Sequence, residues 1–179
     1  MTTITGLPPN ATITRTGTFQ NSLGQSGTFK DVVQRNGNTS TITDTATLAN
    51  GETRTKDVTI TRNANGTITR QGTITLADGK TESFDETLTK SSGGSYSVTG
   101  TFTGPNGQTD QVSGTVTHNG DDRTSDLTYT NAKGQTATRD TNVDRDGNQV
   151  DTNVTGSTFS GRPVSFQGER TISNINIQI

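Results

Sequence analysis

The sequence predicts an all-β protein, an antiparallel β-meander of about six 27–28-residue hairpin repeats with about twelve strands, forming an extended or rolled sheet. Three observations carry this. Turn glycines recur at Gly24, Gly51, Gly79, Gly107, Gly134 and Gly161, with a second set between them at Gly37, Gly66, Gly94, Gly120 and Gly147. The residues between turns alternate with period two: in Ser95–Thr103, Tyr96, Val98, Gly100 and Phe102 interleave with Ser and Thr. About 40 residues are Thr, a good strand former.

The chain divides into an N-terminal arm with a Pro8-Pro9 linker (1–10), a hairpin-repeat domain (11–173) and a C-terminal strand or tail (174–179). In the first repeat Thr12, Thr14, Thr16 and Thr18 share one face, and Ala11, Ile13, Arg15, Gly17 and Phe19 share the other. Reading Ala49-Asn50-Gly51 as a three-residue loop with Gly in the left-handed region sets Leu48 against Glu52 and Asp44 against Lys56. The same rule sets Arg70 against Glu86 and Arg15 against Asp31, so three hairpins carry opposite charges at one equivalent position. It also sets Gly17 against Phe29, Phe19 against Gly27, Gly72 against Phe84 and Gly100 against Val112; a ring over a cross-strand glycine stabilises a sheet. The fifth and sixth repeats are less regular, and the sixth turns at Ser160-Gly161-Arg162-Pro163.

Hydrophobic residues make up only 23% and aromatics 4%, which would suggest disorder were the alternation less strict. The same scarcity argues against a closed barrel, since twelve strands enclose a wide lumen that few small apolar side chains would fill. It argues equally against a membrane barrel, which needs an outward apolar band with aromatic girdles. No run is long and apolar enough to span a bilayer as a helix. Without cysteine no disulfide or thiolate site forms, and a net charge of −2 gives no reason to expect nucleic acid as partner.

No constellation of residues marks an enzyme, and no cofactor is expected. His118, the single histidine, lies two residues before Gly120 at a strand end, and nothing nearby marks a base held by a third group. Asn142, Asp144, Asp146 and Asn148 partly match a calcium loop, but the first position is Asn and the twelfth, Asn153, is not Glu; a hairpin turn is due at the same place. The functional expectation is a structural subunit of an extracellular or cell-surface fibre or matrix, such as a biofilm, self-assembling by β-strand addition at two open sheet edges. Its assembly residues are Ile4 in the arm and Ile175, Ile177 and Ile179 in the tail. The alternative is a non-enzymatic adhesin or spacer binding module.

Overall fold

The computed structural model describes residues 10–178. Twelve strands run in chain order: β1 (Thr12–Asn21), β2 (Ser26–Asn36), β3 (Thr39–Leu48), β4 (Thr53–Arg62), β5 (Ile68–Thr75), β6 (Thr81–Lys90), β7 (Ser95–Thr103), β8 (Thr109–Asn119), β9 (Asp122–Thr130), β10 (Thr136–Asp146), β11 (Gln149–Ser157) and β12 (Pro163–Gln178). Each strand pairs antiparallel with the next, and β12 pairs back onto β1, so the meander closes into a barrel. One 3-10 turn, Ser92–Gly94, joins β6 to β7.

The hairpin register follows the turn chemistry. In the β3–β4 turn the Leu48 N–H donates to the Glu52 carbonyl at 2.8 Å and the Gly51 N–H to the Leu48 carbonyl at 2.9 Å. Gly51 has φ +88°, a conformation other residues adopt only at a cost. This is the three-residue loop expected from sequence, and the opposed pairs follow: Arg15 with Asp31, Asp44 with Lys56, Arg70 with Glu86. At the opposite end of the barrel, β2–β3, β8–β9 and β10–β11 close tighter, with Asn36 paired to Thr39, Asn119 to Asp122 and Asp146 to Gln149.

Closure corrects two expectations. The sheet has no open edge at β1 or β12, because Thr12–Asn21 pairs with Gly168–Gln178 along its length. A bulge between Thr16 and Gly17 leaves Ser173 unpaired opposite them, and β12 continues past it as one strand. Residues 174–178, most of the segment read as a C-terminal strand or tail, therefore complete the wall. The second correction concerns the lumen. Followed once around the wall, the registers accumulate an offset of about 16 residues, which for twelve strands implies a tilt of about 45° and a backbone radius of about 12 Å. Small apolar side chains do not fill that width alone. Long charged side chains reach into it from several strands, and three of the cations, Arg15, Arg70 and Arg170, are paired there with Asp31, Glu86 and Asp44.

Among the described residues apolar packing is divided into three patches on the inner wall. Leu88, Val98, Val112, Val116 and Leu127 form one across β6–β9. Val58, Ile60 and Phe84 form the second, and Phe29, Val150 and Ile172 the third. The outward positions of the same strands are mostly Thr, Ser, Gln and Asp. Across β3–β11 they align a continuous hydroxyl row, Thr39–Thr61–Thr69–Thr87–Thr99–Ser113–Thr128–Thr138–Ser157. No helix among the described residues is long and apolar enough to cross a membrane.

Candidate functional site: the charged lumen

Strand alternation sorts the charges by face. Of the 15 Lys and Arg, only Lys30, Lys80, Lys133 and Arg162 point outward or sit in turns; the rest occupy lumen-facing strand positions. The lumen-facing acids on strands are Asp31, Asp44, Glu82, Glu86 and Asp110, whereas Asp57, Asp85, Asp126, Asp140, Asp144, Asp151 and Glu169 face out. A chain of formal charge −2 thus encloses a positive interior inside a negative shell.

Two equivalent modules make up much of the charged belt. In the first, β12–β1–β2, the Phe29 ring lies over Gly17, its Cε1 2.9 Å from where a Cβ at Gly17 would stand. The Arg170 guanidinium sits 4.9 Å from the Phe29 ring centroid, a cation–π distance. Arg15, 7% exposed, pairs with Asp31 at 3.5 Å. Burial pushes the Asp31 carboxyl above its ordinary range, and the Arg15 charge opposes that push. In the second module, β4–β5–β6, Phe84 covers Gly72 at 2.5 Å by the same measure. Lys56 and Arg70 lie over the Phe84 ring, 5.7 and 5.1 Å from its centroid, and Arg70 pairs with Glu86 at 3.0 Å. Phe19 does not cover Gly27, which instead abuts the Thr47 backbone.

The modules differ in their balance of charge. In the first, Asp44 on the next strand, β3, accepts hydrogen bonds from Arg170 Nη1 at 2.7 Å and Nη2 at 3.4 Å. Asp44 is opposed to Lys56 as the sequence register requires, but its carboxylate is taken by Arg170 instead. The position equivalent to Asp44 in the second module, opposite Glu86 on β7, is Gly100. No second acid is supplied there, and the charges of two further lumen-facing cations, Arg123 on β9 and Arg139 on β10, act on the same site. The Lys56 ammonium is pushed down to about 8, first by burial and then by the fields of Arg70, Arg123 and Arg139, with Asp44 opposing weakly. Burial and Arg70 push Arg123 down to about 10, with Glu86 pulling it back. The buried Nε atoms of Arg70 and Arg123 find no hydrogen-bond partner among the described residues. Arg139 hydrogen-bonds the Tyr129 hydroxyl, whose pKa is raised by burial above all.

The residues singled out in sequence lie elsewhere. Asn142, Asp144 and Asp146 alternate along β10 and Asn148 is in the tight turn after it; Asn142 Nδ2 donates to Asp144 Oδ2 at 3.0 Å. Among the described residues no group of three or more His, Asp or Glu side chains comes together in a metal-holding arrangement. His118 faces the lumen end opposite Arg123, edge-on to Tyr96 at 6.5 Å; burial, then Arg123, lowers its pKa. Ile175 and Ile177 pair with Arg15 and Ile13 in the closing ladder, yet stay 54% and 44% exposed. Ile4 and Ile179 lie outside the described residues. The lumen cluster escaped sequence reading, although its signal is present: the cations repeatedly share a strand parity with the apolar residues.

No family model matches this chain, and comparison with curated proteins and with solved structures finds no match.

Proposed function

We propose that this chain is a non-enzymatic binding module acting outside the cell or at its surface, a closed barrel that carries its recognition chemistry in the lumen and presents a hydrated Thr- and Asp-rich exterior. The observation that supports it is closure. With β1 and β12 paired to each other, every described strand has a neighbour on both sides, so no edge offers a template for strand addition. The charged lumen supports a binding role over a purely mechanical spacer, because burying ions is costly and a spacer has no use for them.

One observation favours the second reading, a self-assembling fibre subunit. Ile175 and Ile177 are exposed apolar side chains close together on one strand. They suit an end-to-end contact between barrels, worth roughly 1.5–3 kcal/mol for each Ile fully buried. Sedimentation velocity and negative-stain microscopy of the purified protein over a wide concentration range decide between the two. The binding-module reading expects a monomer throughout, unchanged by Ile177→Asp. Fibres or oligomers that Ile177→Asp abolishes would overturn it in favour of the fibre subunit.

A further inference from the structure

The contrast between the two lumen modules points to a ligand. In β12–β1–β2 the cations Arg170 and Arg15 are matched by Asp44 and Asp31. In β4–β5–β6 the cations Lys56 and Arg70 have Glu86, but Gly100 stands where the second carboxylate belongs. Arg123 and Arg139 add to the excess, and the buried Nε atoms of Arg70 and Arg123 have no hydrogen-bond partner among the described residues. An excess of positive charge inside a barrel draws in a counter-ion, and guanidinium forks select one whose oxygens accept paired hydrogen bonds.

We propose that the lumen binds a multiply charged tetrahedral oxyanion between Lys56, Arg70, Arg123 and Arg139, in the place that the Asp44 carboxylate fills in the equivalent module. The ligand is phosphate or sulfate chemistry, either the free ion or the ester group of a small molecule. Access is from the end of the three-residue turns, where Arg139 is exposed and Tyr129 lies one residue before the end of its strand pairing with β10. Arg139 is the first contact and Arg123 the deep one. Phe84 backs the site, holding Lys56 and Arg70 over its ring so that their charged groups are placed before the anion arrives. Burial and mutual repulsion depress the Lys56 and Arg123 pKa values, and an anion would relieve both.

This inference rests on the binding-module reading but fails separately from it: one is read in assembly state, the other in anion preference. The test is calorimetric titration of the full chain in a chloride buffer at pH 7 and constant ionic strength, with inorganic phosphate, glucose 6-phosphate and acetate as probes. The expected result is saturable phosphate binding at one site, at least tenfold tighter than acetate. Arg123→Gln and Arg139→Gln should each weaken it at least tenfold while retaining the parent's circular dichroism, and Arg162→Gln, in an outer turn, should leave it unchanged. Glucose 6-phosphate binding as tightly as phosphate assigns the site to an ester, and its exclusion assigns it to the free ion. The proposal is overturned if phosphate binds no better than acetate, or if both folded lumen variants bind as the parent does.

Discussion

At the scale of single residues, Lys56 makes stability depend on pH. Its folded pKa of about 8 lies below the ordinary 10.5, so between those values the unfolded chain binds more protons than the folded one. Stability therefore rises with pH across that window, and the full penalty is present below about pH 8. Thermal melts in oxyanion-free buffer should show Tm climbing from pH 7.5 to 9.5, before Tyr129, whose pKa is raised above 10.0, begins to act in the opposite sense. Lys56→Met should flatten that rise and leave Tm at pH 7.5 no lower than the parent's. Gly72 sets a second residue-scale test. A Cβ there would meet Phe84 Cζ at 2.5 Å and the Asp57 carbonyl oxygen at 2.6 Å. Gly72→Ala should cost about 1–3 kcal/mol in urea unfolding by overpacking, and an unchanged midpoint would show that ring and wall give way freely.

At the scale of elements, a hairpin here is a register fixed by its turn plus an ion pair placed by that register. Glu86 is 5% exposed and is the partner of Arg70 across β5–β6. Glu86→Gln keeps the shape but leaves the surrounding cations with no acid of their own module. Denaturant unfolding should show a loss of about 3–5 kcal/mol, as for one partner removed from a buried pair. If the loss is below about 1 kcal/mol, the pair is solvated like a surface pair and the lumen is wetter than its burial implies. Asp44→Asn should cost less, because Arg170 keeps its place on the Phe29 ring and is more exposed than Arg70.

At the scale of the whole molecule, closure depends on the last strand. Removing residues 174–178 would strip the partners of Thr12–Thr16 and expose that stretch of β1 as an edge. Edge exposure invites pairing with a second chain. Light scattering coupled to size exclusion should show the truncated form associating at concentrations where the parent is a single species. A truncated protein that stays monomeric would mean the remaining ladder and the lumen charges alone keep the wall shut.

The amino-acid sequence was enough for the meander, its strand order and the register of the hairpins turning at Gly24, Gly51, Gly79 and Gly107, because these are local: Gly51 and its equivalents set the loop, and period two sets the faces. Arg15–Asp31 and Arg70–Glu86 were legible for the same reason, being cross-strand neighbours within one hairpin. That the sheet closes, and what closure brings together, emerges from the three-dimensional fold. The pairing of β1 with β12 joins residues at opposite ends of the chain, and turn chemistry carries no information about it. Closure then gives Asp44 to Arg170, 126 positions away, and puts Lys56 in the fields of Arg123 and Arg139. The lumen cluster was hidden because a long cation at an inward position reads as a solvated side chain until the opposite wall is in place to bury it.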